Sequence, residues 1–222
     1  MTLTHSMYRM PVPAQGRRWV LRLTLAAAAG GIALGRDAAG AGSALAALRA
    51  GGHVGYMRHA ITDRSQVDTG RLGDRAGQRN LSPEGRAQAA AIGRALAILG
   101  VPVGAVLTSA VFRARDTADL AFGVDRAEVV PELVADDYEP DPARVAANAR
   151  WIARRLATLS RAGATDLLVG YIVPLGLVLS RALDADEFPE GAIAVFRPEA
   201  GEARHIGFLR PSELLGAAGM PG

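Results

Sequence analysis

From about residue 43 the chain alternates short apolar runs with stretches of helical periodicity. SALAALRAGG (43–52) reads as a short helix stopped by Gly51-Gly52, and HVGYMRH (53–59) as a strand. Residues 62–80 are polar and rich in Asp, Arg and Gly, a loop of a length that is commonly functional. Ser82-Pro83-Glu84 has the form of a helix start, with a cap and a proline in the first turn, and the apolar stripe behind it runs to Leu99. AVLTS (105–109) predicts a second strand, and VFRARDTADLAFG (111–123) a helix closed by Gly123. AEVV (127–130) predicts a short third strand, ELVADDYEPDP (132–142) an acidic loop, and ARVAANARWIARRLATLSRAG (143–163) a long amphipathic helix. TDLLVGY (165–171) predicts a buried strand, with another helix beginning near Pro174. AIAVFRP (192–198) and ARHIGFLRP (203–211) predict a closing strand pair around Glu199-Ala200-Gly201-Glu202.

Strands alternating with helices of this length imply an α/β domain over residues 43–215. The expected architecture is a three-layer α/β/α sandwich on a mostly parallel central sheet. Ligands of such sheets sit beyond the carboxyl ends of the strands. That rule selects Arg58-His59, the segment Ser109 to Arg113, and Gly170-Tyr171.

Composition changes the picture at the amino terminus. All 25 basic residues are arginine, and the formal charge is +3. Arg9, Arg17, Arg18, Arg22 and Arg36 against Asp37 alone put +4 on residues 1–41, which leaves −1 for the remainder. The basic balance therefore belongs to the leader and is no argument for nucleic acid. Arg17-Arg18, the mostly apolar run Trp19 to Leu34, and Ala39-Gly40-Ala41 have the layout of a cleaved export signal of twin-arginine type. The expected location is periplasmic, with membrane contact only through an uncleaved leader. The chain has no cysteine, so thiolate nucleophiles and cysteine metal sites are excluded. No metal or cofactor is expected.

His59 is the sharpest chemical candidate, because neutral imidazole is a good nucleophile near neutral pH. Arg58 beside it offers a planar fork for two phosphate oxygens. Arg113 lies in the first turn of a helix, where free amides favour an anion.

These residues fall in an ordered set. Arg58-His59-Ala60-Ile61-Thr62 resembles the R-H-G-x-T signature of the histidine phosphatase superfamily, which includes the phosphoglycerate mutase-like enzymes. LSPEG (81–85) resembles its L-[ST]-x-x-G helix opening, and SAVFRARDTA (109–118) its S-P-x-x-R-A-x-x-T-A segment. LVGYIVPL (168–175) lies where that family reads V-G-H. The resemblance implies a phosphoglycerate mutase-like fold and a phosphomonoester hydrolase acting through a phosphohistidine, with a small-molecule phosphomonoester as substrate. It implies His59 as the nucleophile, Arg58 and Arg113 as phosphoryl clamps, and Thr62 in the pocket wall. It places the general acid in the loop after the third strand, where Asp136 is the first choice and Glu132 the second, with Asp137 beside them. The loop 62–80 reads either as a substrate lid, with Arg79 and Asn80 near the site, or as a polar excursion holding its own ion pairs.

Three positions depart from the family pattern. Ala60 replaces a glycine, Ser65 stands where many members have Asn, and Tyr171 stands at the phosphate-binding position of the second histidine. Tyrosine is neutral at pH 7 and offers one hydrogen bond. Losing one transition-state donor costs on the order of 3 kcal/mol, roughly a hundredfold or more in rate. The alternative function is thus a catalytically degenerate member, a pseudoenzyme that binds a phosphorylated ligand or partner. Among the other histidines, His53 is roughly 20 Å from His59 along its strand, and His205, in the closing hairpin, is the remaining substitute.

Overall fold

The computed structural model describes residues 40–221. The leader expected over 1–41 therefore lies, but for its last two residues, outside the described residues.

Six strands form one sheet: β1 (His53–Arg58), β2 (Val103–Thr108), β3 (Glu128–Val129), β4 (Thr165–Gly170), β5 (Ile193–Glu199) and β6 (Glu202–Leu209). Their spatial order is β3-β2-β4-β1-β5-β6. The first four in that order run parallel, and β5 and β6 close the sheet antiparallel, as the hairpin pattern predicts. Six helices cover it: α1 (Ala41–Ala50), α2 (Pro83–Ile98), α3 (Phe112–Phe122), α4 (Pro142–Leu156), α5 (Ile172–Val178) and α6 (Pro211–Ala217).

The central strands are apolar on both faces because helices cover both. On one face Leu48, Ile92, Leu96, Val169 and Val195 pack beneath α1, α2, α3 and α6. On the other, Val54, Ile152, Leu156, Leu168 and Phe196 pack beneath α4 and α5. Adjacent Leu168 and Val169 thus serve opposite cores, as the period of two requires. Among the described residues no helix is long and apolar enough to cross a membrane.

The start of α2 forms as its sequence specifies. The Ser82 side chain accepts from the Gly85 amide at 3.0 Å, and Pro83 fills the first turn. Helix α4 differs from expectation: it ends at Leu156 instead of reaching Gly163. The cause is Asp166, fully buried in β4. Its carboxylate accepts from the Ser160 amide (2.6 Å), the Ser160 hydroxyl (2.6 Å), the Arg155 guanidinium (2.8 Å) and the Ala105 amide (2.9 Å). A buried carboxylate needs such donors, and they draw residues 157–163 out of the helix into a turn. Helix α6 was not predicted, although its signal is present. Pro211 opens it, and the Glu213 carboxylate accepts from the Arg210 amide at 2.7 Å.

Burial alone would raise the Asp166 carboxyl, but the Ser160 and Arg155 bonds hold it below the usual carboxylate range. Asp166→Ala leaves the Arg155 charge and two amides without their partner. It is expected to lower unfolding free energy by about 3 kcal/mol in denaturant titration; a loss below about 1 kcal/mol would mean that Asp166 does not hold this turn.

Candidate functional site

Parallel pairing aligns the carboxyl ends of three strands. Arg58 is level with Gly170, and Thr108 with Val169. The segments that follow, His59, Ser109 and Tyr171, therefore emerge side by side, and the His59 amide donates to the Gly170 carbonyl at 3.0 Å.

His59 is 4% exposed. Its Nδ1 lies 2.9 Å from the Ala60 carbonyl oxygen, so Nδ1 carries the proton and Nε2 keeps its lone pair. Burial lowers its pKa to about 3, with Arg113, Arg58 and Arg79 acting in the same sense against the Ala60 hydrogen bond. The imidazole is thus neutral at physiological pH, the form a nucleophile needs. The Ala60 amide donates to the Thr117 hydroxyl at 2.9 Å, which ties the segment after His59 to α3.

The arginines converge as expected, and Arg79 of the loop joins Arg58 and Arg113 in the field around the ring. Arg58 donates to the Phe188 carbonyl oxygen at 2.7 Å. Arg113 is 3% exposed. Its Nη1 contacts both oxygens of Asp68 at 3.0 Å, and its Nη2 reaches the two oxygens of Asp137 at 3.4 Å. Asp68 also accepts from the Tyr138 hydroxyl and from the Arg79 amide (2.9 Å). Tyr138, Arg79 and Arg113 hold its carboxyl low against the opposing effect of burial.

Loop 62–80 is consequently seated on α3. Buried Gln78 accepts from the Phe112 amide at 2.9 Å, at the first turn of that helix. Arg75 makes a two-pronged pair with Asp116 at 2.6 and 2.9 Å and lies over the Phe112 ring. The ion pairs of the loop thus run outward, to Asp116 and Arg113 of α3 and to Glu190, and not, among the described residues, between its own side chains.

Tyr171 stands beside His59, its ring 5.5 Å from the imidazole and 4.8 Å from the Arg113 guanidinium carbon. Its hydroxyl is buried without a hydrogen bond of normal geometry, although Ser109 is near enough to favour the ionised form. Burial outweighs Ser109 and Arg113 and raises the phenol above its ordinary value, so it remains a neutral donor. The backbone here is fixed by Tyr56, whose hydroxyl donates to the Tyr171 carbonyl oxygen (3.0 Å) and accepts from the Tyr171 amide (2.9 Å). A Cβ on Gly170 would overlap that hydroxyl, so glycine is required there.

Other expected residues separate. Thr62 is the exception: it is buried, and its hydroxyl donates at 2.8 Å to the Glu190 oxygen that lies 4.0 Å from His59 Nδ1. Asp136 lies on the surface of the loop after β3, facing Val134, Asn148 and Pro174, and burial on its protein side raises its carboxyl. Glu132 has no ion pair among those found in the described residues; Asp137, next to the first choice, is the acid on Arg113. His205 packs between Phe196 and Phe208. It is paired with Phe196, which lies level with Val54 at the start of β1, so it is no substitute near His59. Asp68 and Glu190 reach the site from segments without a motif, and Tyr56, in the strand before Arg58, reads from the sequence only as a core position. Among the described residues no group of acidic and histidine side chains is arranged to hold a metal ion.

Residues 56–134 match the family model "Histidine phosphatase superfamily (branch 1)". No curated protein matches the sequence. Among solved structures, the protein histidine phosphatase SixA complexed with tungstate is similar at 20% identity and TM-score 0.51, over 73% of this chain and 99% of that one. An alpha-ribazole-5'-P phosphatase from Escherichia coli K-12 aligns at 17% identity and TM-score 0.54, over 72% and 97%. A phosphoserine phosphatase from Entamoeba histolytica aligns at 15% identity and TM-score 0.51, over 73% and 99%. Residues 56–134 thus resemble the histidine phosphatase superfamily, and the described domain has the fold of these solved phosphatases.

A buried neutral histidine fixes a sign. The ordinary histidine pKa of 6.5 is lowered to about 3 on folding, so the unfolded chain binds the extra proton between those values. The stability contribution is complete above pH 6.5 and is lost as pH falls toward 3. Side-chain 15N NMR should show the His59 ring neutral and unchanged from pH 5 to 8; a titration midpoint between 6 and 7 would refute this burial.

Proposed function

We propose that this chain is a phosphomonoester hydrolase that forms a phosphohistidine on His59. One observation supports this most. The Nε donors of Arg58, Arg79 and Arg113 and the Tyr171 hydroxyl are all buried without partners, and all belong to residues around His59. An unmet buried donor costs about 1–3 kcal/mol, and a phosphoryl group supplies several acceptor oxygens at once. In the first step the Nε2 lone pair bonds to phosphorus, and the ester P–O bond breaks toward the leaving oxygen, which takes a proton. Water then attacks phosphorus and releases the ring. Arginine clamps favour both steps by stabilising charge on the transferring oxygens. Asp137 is the acid whose placement suits the proton. Burial raises its carboxyl against the pull of Arg113, which favours the protonated form, and it lies at the Arg113 end of the site.

The solved neighbours support a phosphatase reading: their names give protein phosphohistidine, ribazole phosphate and phosphoserine as what they act on. Full-length protein is expected to hydrolyse p-nitrophenyl phosphate slowly, with phosphohistidine and phosphoserine as the next substrates to assay. His59→Ala should abolish turnover. Tyr171→His should raise kcat at least tenfold; activity that survives His59→Ala would end the proposal.

A second reading has its own support in Tyr171 and in the Asp68–Arg113 pair, which occupies the clamp with an internal carboxylate. In that reading the domain binds a phosphorylated group without turnover. Phosphate should then raise the melting temperature of a wild type that shows no hydrolysis, and Arg58→Ala should remove the shift. In either case Asp68 competes with the incoming anion, so Asp68→Asn should lower the inhibition or dissociation constant for inorganic phosphate about fivefold; weaker binding would show that Asp68 chiefly supports Arg113.

We extend the proposal to location: the leader directs export to the periplasm. Replacing Arg17 and Arg18 together by Lys should retain the protein in the cytoplasmic fraction, and unchanged export would contradict a twin-arginine route.

A further inference from the structure

Resting on the phosphohistidine reading, a second group at the site acquires a role. Bonding Nε2 to phosphorus leaves the proton on Nδ1, so the imidazole ring becomes cationic. That charge would arise among Arg58, Arg79 and Arg113, all of which already oppose a positive ring. Something negative must face Nδ1.

Glu190 does. Its Oε1 lies 4.0 Å from His59 Nδ1, and its side chain is only 10% exposed. Among the described residues no other carboxylate pairs with this ring. The Thr62 hydroxyl donates to the same oxygen at 2.8 Å, and exposed Arg64 lies 3.6 Å from Oε2. Arg58 also senses the Glu190 charge.

The backbone carrying Glu190 is tied to the nucleophile's own segment. The Gly191 amide, at a left-handed φ of 85°, contacts the Arg58 and His59 carbonyl oxygens at 3.2 and 3.0 Å. Gln88 bridges the two segments, donating to the Glu190 carbonyl oxygen at 3.2 Å and accepting from the Ile61 amide at 3.1 Å. A surface glutamate needs none of this.

We propose that Glu190 is the positioning residue of the nucleophile: beside the Ala60 carbonyl that accepts the Nδ1 proton, its carboxylate favours that tautomer, so that Nε2 keeps its lone pair, and balances the ring's charge in the phosphoenzyme. It sits on the Nδ1 side, so it is not the proton donor to the leaving group. The groups that set the local charge are Arg58, Arg79, Arg113 and Tyr171 around His59, and Thr62, Arg64 and Arg58 around Glu190.

The test compares the full chain with Glu190→Gln and Glu190→Asp. Rapid-quench phosphoenzyme formation from p-nitrophenyl phosphate should slow at least tenfold in Glu190→Gln with KM within twofold, and Glu190→Asp should recover part of the rate. In the resting protein at pH 7, side-chain 15N NMR of Glu190→Gln should show a new population protonated at Nε2. Undiminished phosphoenzyme formation together with an unchanged tautomer overturns the proposal. If the wild type forms no phosphoenzyme, the phosphatase reading fails while the tautomer measurement still decides Glu190: a shift supports its role, and none refutes it.

Discussion

A guanidinium buried inside a protein needs anions and aromatic faces around it, and Arg113 organises one end of this molecule for that reason. Asp68 arrives from the loop after β1, Asp137 and Tyr138 from the loop after β3, and Tyr171 from the end of β4. The two loops are otherwise polar and irregular, whereas Tyr171 is set by the sheet. Without a shared charge to surround, nothing in their own sequences would hold them in register. Burial chiefly lowers the affinity of His59 for a proton, and the same Arg113 charge acts in that sense, so the group that assembles the loops also helps keep the imidazole neutral.

Tyr171 is best understood within that arrangement. It gives Arg113 an aromatic face in place of the second cation that a histidine could supply. Its backbone remains where the sheet demands, because Tyr56 grips its amide and carbonyl and Gly170 leaves room for the grip. Tyr171 therefore adds no charge to the site, and its backbone stays in place at the end of β4. Asp68 and Asp137 bring two carboxylates onto Arg113. The site is consequently less positive than its arginines alone suggest.

Much of the fold was legible because its signals are local. Apolar runs at 53–58 and 165–170 with β-branched and aromatic residues can only be buried strands, and Ser82-Pro83 can only begin a helix. The end of α4 was not legible: Asp166 stops it from another strand, and no window around Ser160 contains that partner. The short α6 was overlooked although Pro211 and Glu213 announce it.

The sequence by itself determined the α/β alternation, the strand ends that carry His59 and Tyr171, and the presence of Arg58 and Arg113 near them. These follow from periodicity, caps and an ordered motif, all written along the chain. Only the tertiary structure decided which carboxylates face them. Asp68 and Glu190 lie 45 residues before Arg113 and 128 residues after Thr62, their respective partners. Charges so far apart in sequence meet through strand order and loop packing. The physical reason is that electrostatic pairing depends on distance in space, and a sequence records only distance along the chain.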